Sequence, residues 1–490
     1  MRKLRRLLLR LFGLIFLGIL IAVVFNTLTF NSKQTEVEAY NAAAVPPNVV
    51  GHLQTAIRIP TISKPDQVDS SVFFQFNNFL QTTFPFVDSL LEHHTINDFS
   101  HIYHWKGKDE SLEPILLIAH LDVVPVEASS EKDWKQSPFG GILEEGYIWG
   151  RGALDDKLNV VGLMESAELL LEQQYRPTRS IYFAFGHDEE VSGKNGAMAI
   201  ANYFQSKNIH FSYIIDEGSV VVQKALNGLE APAALIGISE KGYVSLDLKV
   251  NLEQGGHSSM PPPSTAIGVL SHALSELDKN PFPAKINGTV GNMLNFLGPE
   301  MDLLHKTIFA NRWLFGGILE NQLAKGTASN ALIRTTTAPT IIQAGVKDNV
   351  LPSEANATVN FRIIPGETPE SVMNAVINLI DDNRVKVSLN DPAFAQAPGK
   401  LSPTEGFGFN VLSNTIREIF PESVVAPSLV IAATDARHYE ACSDAIYRFM
   451  PVSLAKEELG MIHGINEKIS VNSYEKLIQF YIRLLQNSTR

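Results

Sequence analysis

The chain has 490 residues, more than the roughly 100–200 of a typical single domain, so we expect two domains. Lysine and arginine number 40 against 52 aspartates and glutamates, a formal net charge of −12. This charge excludes a broadly basic surface, and we predict no nucleic-acid partner. The single cysteine, Cys442, excludes an intramolecular disulfide and any cysteine-rich zinc or iron–sulfur site. Any bound metal must therefore be held by His, Asp and Glu.

The first 30 residues differ from the rest of the chain. Residues 1–10 carry five basic groups, and Leu11–Phe30 is a largely apolar run of about 20 residues, long enough to span a bilayer as a helix. We predict a single-pass membrane anchor with the body of the protein on the non-cytoplasmic side. A cleaved signal segment, which would release a secreted or periplasmic protein, and a buried helix are the alternatives. Residues 31–48 are predicted to form a linker.

Four short apolar runs, each followed at once by polar residues, indicate buried β-strands. They are Ile115–Ala119, Ile181–Phe185, Tyr213–Ile215 and Leu429–Ala433. Apolar strands that alternate with helical patterns are typical of a mostly parallel sheet covered on both faces. We therefore predict an α/β domain formed by residues 49–239 and 398–490.

The intervening residues 240–397 have a different pattern. Tyr243–Val250 and Ala357–Ile363 alternate apolar with polar or small side chains, as half-exposed antiparallel strands do. Helical patterns accompany both runs. We predict an inserted α+β domain, and we expect the apolar residues of 281–328 to form its core or, alternatively, an apolar acyl-binding site. That segment includes Phe296, Leu297, Phe309, Trp313, Leu314 and Phe315.

Polar clusters follow several of the predicted strands, and two more lie elsewhere in the chain. The clusters are Ala119–Pro125, Gly150–Lys157, Gly186–Gly193, Ile215–Gly218 and Met461–Glu467. Each has a plainer explanation by itself, such as an N-cap aspartate or a polar pair at a strand end. Together they offer His120, His463 and at least three carboxylates. Imidazole and carboxylate ligands without thiolate suit zinc or a similar divalent ion.

The ordered motifs AHLDVVP, GRGALDDK, GHDEEVSG, DEG, GGHSSMPP and IHGINEK resemble those of the M20 family of metallopeptidases. The likeness is strongest to its carboxypeptidase S and N-fatty-acyl-amino-acid synthase/hydrolase branches, and it covers nearly all of the chain after residue 45. It implies a zinc-exopeptidase-like α/β domain interrupted by a lid or dimerisation domain. It also implies two zinc ions per subunit, although other divalent ions are possible.

The resemblance implies a role for each motif residue. One zinc would be held by His120, Asp155 and Asp216, and the other by Asp155, Glu190 and His463, so that Asp155 bridges. Asp122 would orient His120, and Glu189 would be the general base. Glu217 is the alternative to Asp216, which we prefer because it directly ends the predicted strand.

Further candidates concern the substrate. His257, in a Gly-Gly-His-Ser-Ser loop of the lid, is our candidate for an oxyanion donor, with an ordinary loop histidine as the alternative. The resemblance implies that this histidine often acts from a partner subunit. Arg362 and Arg437 are candidates for binding a substrate carboxylate, with structural salt bridges as the alternative. Asn330 and Asn349 lie in segments that resemble substrate-contacting parts of the family.

These expectations describe a membrane-anchored zinc hydrolase of peptides or N-acyl amino acids that carry a free carboxylate, with a possible homodimer through the lid. A strict aminoacylase or fatty-acyl-amino-acid hydrolase or synthase without peptidase activity is the first alternative. The second is a non-catalytic binding protein on the same scaffold. The acid pairs and the histidines of the motifs favour an enzyme.

Overall fold

The computed structural model describes residues 2–65, 68–286, 288–392 and 394–489. The helices are α1 (Arg2–Thr29), α2 (Val49–Arg58), α3 (Ser70–Thr83), α4 (Pro85–Leu90), α5 (Lys157–Glu172), α6 (Ala197–Ser206), α7 (Ala266–Lys279), α8 (Gly288–Leu297), α9 (Leu303–Ala310), α10 (Arg312–Leu323), α11 (Thr327–Ile333), α12 (Pro369–Ile380), α13 (Phe407–Ile419) and α14 (Val471–Ser488). The strands are β1 (Glu92–Ile96), β2 (Ser100–Trp105), β3 (Ile115–His120), β4 (Ile142–Glu144), β5 (Tyr147–Trp149), β6 (Ile181–Gly186), β7 (Tyr213–Gln223), β8 (Ala233–Glu240), β9 (Gly242–Asn251), β10 (Gly256–His257), β11 (Thr336–Ala344), β12 (Val350–Leu351), β13 (Glu354–Ile363), β14 (Val385–Leu389), β15 (Val424–Val430), β16 (Ile446–Ala455) and β17 (Lys468–Ser470).

The large domain is built on a sheet with the strand order β1-β2-β6-β3-β7-β16-β8-β15. Strand β3 pairs in parallel with β6 and with β7, and the pairs β7–β16 and β8–β15 are also parallel. The β1–β2 and β2–β6 pairs at one edge are antiparallel, as is the contact of β16 with β8. The predicted mostly parallel sheet is confirmed.

Both faces of this sheet are covered, because alternate residues of its inner strands enter different cores. In β3, Ile115 and Leu117 pack into the core that includes α5 and α14, whereas Leu116 and Ile118 pack with residues of α6. A strand whose side chains are buried on both sides must be apolar at every position. This requirement explains the uninterrupted apolar run that precedes His120.

The lid domain is a separate antiparallel sheet with the order β11-β13-β9-β14. Alternate residues of β9, among them Val244, Leu246 and Leu248, are buried against α7 and α12, and the residues between them are partly exposed. The alternating pattern of the sequence is therefore the pattern of a sheet with one covered face. A capping box of Thr368 and Ser371 fixes the start of α12.

The helices between the two halves of the lid do not belong to its core, so the expectation of a lid core in residues 281–328 is wrong. Helix α8 lies against β15, and Phe296, Leu297 and Phe309 are buried in the core of the large domain. Trp313 and Leu314 are instead exposed. Composition alone does not distinguish these outcomes, because an apolar helix can be buried against any neighbour that offers an apolar face.

Helix α1 spans 28 residues. Within the described residues it is the one helix that is long and apolar enough to cross a membrane, with a mean hydropathy of 2.8 in its most apolar window. Residues 30–46 follow without helix or strand. They lie against the large domain, where the Gln34 side chain bonds to the backbone of Val425 in both directions.

Candidate metal centre

The predicted metal ligands lie at one edge of the large sheet. His120 ends β3, Glu190 follows β6, and Glu217 lies within β7 directly after Asp216. Strands β6, β3 and β7 are neighbours and run parallel, so their carboxyl ends meet at the same edge. This geometry brings together side chains that are separated by about a hundred positions in the sequence.

Asp155 connects the two histidines of the site. Its Oδ1 lies 2.9 Å from Nε2 of His120, and its Oδ2 lies 2.9 Å from Nε2 of His463. The same His463 nitrogen lies 3.2 Å from Oε2 of Glu190. Burial opposes ionisation of Asp155, but the hydrogen bonds with both histidines hold its pKa well below the usual value. A single buried carboxylate thus faces two imidazoles, one oxygen to each.

Two groups of side chains have the spacing of a metal site. The ligand atoms of His120, Asp155 and Glu190 all lie within 4.8 Å of one another, as do those of His120, Asp156 and Glu217. Oε1 of Glu190 is buried and has no hydrogen-bond partner among the described residues. Because an unpaired buried carboxylate oxygen is costly, a cation is the partner that this site requires. The residues present therefore fit a divalent metal.

Asp122 links His120 to the turn that carries the paired glutamates. Nδ1 of His120 lies 2.9 Å from the main-chain oxygen of Asp122 and 3.3 Å from its carboxylate. The carboxylate also accepts hydrogen bonds from the amides of Glu189 and Glu190, each at 3.1 Å, and from Ser63 at 2.6 Å. Contacts to the distal ring nitrogen fix the orientation of a ligating histidine.

The acid nearest to His120 in β7 differs from the one that the sequence favoured. Oε1 of Glu217 lies 3.3 Å from Nε2 of His120. The Asp216 carboxylate accepts hydrogen bonds from the amides of Ala436 at 2.7 Å and Glu217 at 2.9 Å. Glu217 is thus the acid of β7 that contacts His120, and the choice between Asp216 and Glu217 as the metal ligand stays a prediction. The sequence argument assumed that the strand ends at Asp216, but β7 continues to Gln223. The end of the apolar run therefore does not identify the residue whose side chain faces His120.

The site also contains two carboxylates to which sequence reasoning gave no role in it. Asp156 is the N-cap residue of α5, but its side chain makes no capping bond and instead accepts a hydrogen bond from the amide of His120 at 3.2 Å. Asp435 is buried, and its Oδ1 has no hydrogen-bond partner in the described chain. The position of Asp435 after a strand-like apolar run was the available signal.

The cluster carries far more negative than positive charge. Seven carboxylates interact with one another or with His120: Asp155, Asp156, Glu189, Glu190, Asp216, Glu217 and Asp435. Burial raises the pKa of Glu217 to about 8, and the nearby carboxylates of Asp155 and Asp216 contribute to this increase. Burial also raises the pKa of Asp216, to about 6. Hydrogen bonds to Asp155 and Glu190 raise the pKa of His463 to about 10. Excess buried negative charge of this kind is neutralised by protons or by metal cations.

The loop that presents Asp155 is held by a buried carboxylate from the C-terminal region. Glu467 is fully buried, and its Oε1 accepts hydrogen bonds from the amides of Gly152 at 3.0 Å, Leu154 at 2.7 Å and Asp155 at 3.1 Å. Its other oxygen lies 2.6 Å from Nη1 of Arg151. Sequence reasoning used this motif only for His463 and missed Glu467.

Arg151 extends this network to the second histidine loop. Its Nη2 donates to the main-chain oxygens of His463 at 3.2 Å and Gly464 at 3.1 Å. His463 itself has a φ of 59°, a conformation that needs support from its surroundings. The Arg151–Glu467 pair therefore fixes the loops that carry Asp155 and His463 relative to each other.

Three of the candidate residues in the lid lie outside the metal centre of their own chain. His257 is exposed on β10, where its Nδ1 lies 2.8 Å from Oγ of Ser259, and Asn349 lines the same shallow pocket. Asn330 lies elsewhere, in a cavity of ≈ 590 Å³ between α7 and α11. The structure does not bring His257, Asn349 and Asn330 to the metal centre of their own chain.

The two candidate arginines do lie close to each other. Arg362 of the lid stacks over the ring of Tyr243 at 4.9 Å. Burial lowers its pKa, and the positive charge of Arg437 lowers it further. Nη2 of Arg437 donates to the main-chain oxygen of Ser192 at 3.1 Å, next to the turn that carries Glu189 and Glu190. A positively charged site thus forms where the lid meets the metal centre.

Solved structures share this architecture. The M20 family metallo-carboxypeptidase Sso-CP2 of Sulfolobus solfataricus matches with a TM-score of 0.66 at 15% identity, covering 91% of this chain and 100% of that one. The Bacillus subtilis protein YXEP, a dinuclear metal-binding peptidase, matches with a TM-score of 0.54 at 12% identity, covering 90% and 98%. At these identities the likeness establishes the fold. This fold carries the cluster of His, Asp and Glu side chains at its sheet edge.

Sequence comparison identifies the family. The chain belongs to peptidase family M20/M25/M40, whose profile matches residues 116–487. It is 42% identical over 487 residues to a probable carboxypeptidase S-like 2 of Dictyostelium discoideum, covering 97% of this chain and 93% of that protein. It is 42% identical over 445 residues to the N-fatty-acyl-amino acid synthase/hydrolase PM20D1 of Xenopus tropicalis, covering 90% and 86%. The predicted family is confirmed, and the chain is an enzyme rather than a non-catalytic binding protein.

We predict that Glu467→Gln weakens metal binding by about 10–100-fold, the usual scale for losing a group that supports a ligand. The substitution removes the ionised partner of Arg151, so the loops of Asp155 and His463 are no longer held together. Metal titration of the purified protein measures the effect. Glu418→Gln is the matched control, because Glu418 also pairs with an arginine, Arg483 at 2.6 Å, but on α13 and α14. Equal metal affinity in Glu467→Gln and the parent would contradict the assigned role.

Proposed function

We propose that the protein is a zinc-dependent hydrolase of the amide bond next to a C-terminal amino acid with a free carboxylate. It would act as a carboxypeptidase or as an N-acyl-amino-acid hydrolase. The observation that supports this most strongly is the position of Asp155, 2.9 Å from both His120 and His463. A carboxylate in this position is suited to bridge two metal ions.

The residues at the sheet edge fit two zinc ions per chain, although other divalent ions suit the same donors. One ion would be held by His120, Asp155 and Glu217, with Asp216 as the alternative acid, and the other by Asp155, Glu190 and His463. Bound zinc would lower the pKa of a shared water and polarise the carbonyl of the scissile amide. Asp122 would keep His120 in its ligating orientation.

Glu189 is the proposed general base. It follows β6 beside the ligand Glu190, and burial together with neighbouring carboxylates raises its pKa well above the usual value. A carboxylate with a raised pKa accepts a proton more readily near neutral pH. Glu189 would take the proton of the attacking water and return it to the leaving nitrogen.

Arg362 and Arg437 are proposed to bind the free carboxylate of the substrate. Neither guanidinium forms a salt bridge with a carboxylate in the described parts of the chain, and the positive charge of Arg437 lowers the pKa of Arg362. Two partly buried like charges are favourable only when an anion joins them. Arginine forks match the geometry of a carboxylate. Asn330 and Asn349 remain candidates for further substrate contacts, Asn349 from the lid surface beside His257.

The alternative is a strict aminoacylase or a fatty-acyl-amino-acid hydrolase or synthase without peptidase activity. The relatives carry both kinds of name, carboxypeptidase S and N-fatty-acyl-amino acid synthase/hydrolase. A hydrolysis screen that pairs dipeptides with N-acetyl and N-oleoyl amino acids distinguishes the two. Turnover of the N-acyl substrates alone would remove the carboxypeptidase part of the proposal.

A homodimer through the lid is also proposed. Strand β11 is an edge of the lid sheet, and Ile341 and Ile342 on it are exposed. An exposed apolar edge strand is favourable when it pairs with another chain. Because His257 stands away from the centre of its own chain, pairing of two lids would allow His257 of the partner subunit to act as the oxyanion donor.

The proposed location is a membrane, with α1 as a single-pass anchor and the catalytic body on the non-cytoplasmic side. Five basic residues precede the apolar run of α1, and basic residues favour the cytoplasmic side. Cleavage after α1, which would release a secreted or periplasmic enzyme, is the alternative.

We predict that Glu189→Gln lowers kcat by roughly 10²–10⁴-fold, the usual contribution of a general base, while zinc content stays near that of the parent. Glutamine has nearly the same shape but accepts no proton. Steady-state kinetics and elemental analysis of the same preparation measure both quantities. Glu190→Gln is the matched control and should lose zinc. Loss of zinc from Glu189→Gln instead would show that the two adjacent glutamates have exchanged roles.

The ligand in β7 is tested by comparing Glu217→Gln with Asp216→Asn. We expect Glu217→Gln to lose more zinc, because its carboxylate lies 3.3 Å from Nε2 of His120. Asp216→Asn retains an oxygen that can accept a bond from the amide of Ala436. Zinc stoichiometry and affinity are the measurements. A larger loss in Asp216→Asn would restore Asp216 as the ligand.

His257→Ala is predicted to lower kcat by roughly 10²–10³-fold, the usual effect of removing an oxyanion donor, with little change in bound zinc. If His257 acts across the lid interface, mixing this variant with Glu189→Gln should restore activity, since some heterodimers carry one site with both residues intact. Unchanged kcat would refute the oxyanion role. Low kcat without rescue, despite demonstrated subunit exchange, would place His257 in the site of its own subunit.

A further inference from the structure

Helices α9 and α10 expose large apolar side chains that the proposed catalytic function does not use. This surface, which we call the α9–α10 surface, consists of Leu303, Leu304, Trp313, Leu314 and Ile318. Leu303 is 74% exposed, Ile318 70% and Trp313 57%. Leu314 and Ile318 are four positions apart and so share one face of α10. Large exposed apolar side chains on two helices that contact each other are typical of an interaction surface.

The α9–α10 surface adjoins the C-terminal end of α1 through a buried amide. Asn311, between α9 and α10, is fully buried, and its Oδ1 accepts hydrogen bonds from Nδ2 of Asn26 at 3.0 Å and from Nε1 of Trp313 at 3.2 Å. Its Nδ2 donates to the main-chain oxygen of Val23 at 3.2 Å and to Oγ1 of Thr27 at 3.3 Å. One side chain therefore joins the apolar helix to the exposed tryptophan.

A second contact makes the end of α1 part of the folded body. Helix α9 packs against α1, and the ring of Phe30 lies against Gly298, where even a Cβ atom would come within 2.6 Å of it. These contacts hold the last turns of α1 on the same helices that carry the exposed apolar side chains. No residue in the most apolar window of α1 is buried.

The length of α1 determines the depth at which the α9–α10 surface would lie in a bilayer that α1 spans. The helical residues Leu11 to Thr29 extend about 29 Å, close to the thickness of the hydrocarbon core. The polar residues Asn26, Thr27 and Thr29 near its C-terminal end then lie at the interface on the side of the body. Trp313, bonded through Asn311 to this end, lies at the same level, where tryptophan is enriched in membrane proteins.

We propose that the α9–α10 surface lies in the interfacial region of the same bilayer that α1 spans, with its apolar side chains at the boundary of the acyl chains. The occupant of the surface is thus lipid, and the two short helices act as an in-plane support beside the transmembrane helix. This inference rests on the proposed retention of α1 as an anchor. According to this inference, the catalytic body lies against the membrane surface and is not separated from it by a flexible linker.

The test uses the full chain reconstituted into phosphatidylcholine vesicles, with part of the lipid brominated on its acyl chains as a short-range quencher. The chain has four tryptophans, of which Trp105, Trp134 and Trp149 are buried. The fluorescence of Trp313 is obtained by subtracting the emission of Trp313→Phe from that of the parent protein. We expect brominated lipid to remove about half or more of this emission and aqueous iodide to remove little, as for a side chain at the acyl boundary.

Two variants serve as controls. Leu304→Glu with Ile318→Glu should reduce the lipid quenching of Trp313 while the protein still floats with the vesicles, because α1 is unchanged. Phe74→Trp in the Trp313→Phe background places the same probe at a site that is 55% exposed, beside Phe99 near the opposite edge of the large sheet. That tryptophan should be quenched by iodide and not by lipid.

Each other outcome overturns the inference. Trp313 quenched by iodide and not by lipid would show a surface in water, and Trp313 protected from both would show a surface covered by protein. A protein that does not float with vesicles would refute both the anchor and the surface. Amide hydrolysis by the same preparation, measured on a soluble dipeptide and on N-acetyl amino acids, distinguishes that result from failure of the catalytic proposal.

Discussion

The rest of the site depends on one buried carboxylate. Asp155 faces a histidine with each oxygen, and the histidines come from the end of β3 and from a loop near the C-terminus. Around it lie further buried carboxylates, and they outnumber the cationic groups that face them in the described residues. This imbalance is unfavourable for folding alone and favourable for binding divalent metal. The protein therefore has a centre whose own electrostatics require a cation.

The fold provides the geometry that this centre needs. Parallel pairing of β6, β3 and β7 aligns their carboxyl ends, so His120, the paired glutamates and the acids of β7 lie at one edge. Asp122 and Glu467 then fix the loops, each by accepting several amide hydrogen bonds. Hydrogen bonds to groups behind the ligands orient those ligands, so Asp122 and Glu467 belong to the metal site.

The lid and the helices inserted in its sequence form the surroundings of the metal centre. The lid brings Arg362 close to Arg437 and keeps His257 away from the centre of its own chain, which suits a site completed by carboxylate binding and by a second subunit. The helices inserted in the lid sequence pack on the large domain and clasp the end of α1. Under the proposed function, this one insertion would contribute both to substrate recognition and to attachment of the body.

The sequence by itself determined the parallel sheet, the antiparallel lid strands and the main metal candidates, because the burial of both faces or of one face leaves a periodic pattern along the chain. Ordered motifs determined the family. Only the tertiary structure decided that Glu217 faces His120, that Asp156 and Asp435 join the site, and that Glu467 supports Asp155. It also decided that α8 packs on β15 rather than in the lid. These features depend on contacts between residues that are far apart in the sequence. Local sequence patterns contain no information about such contacts.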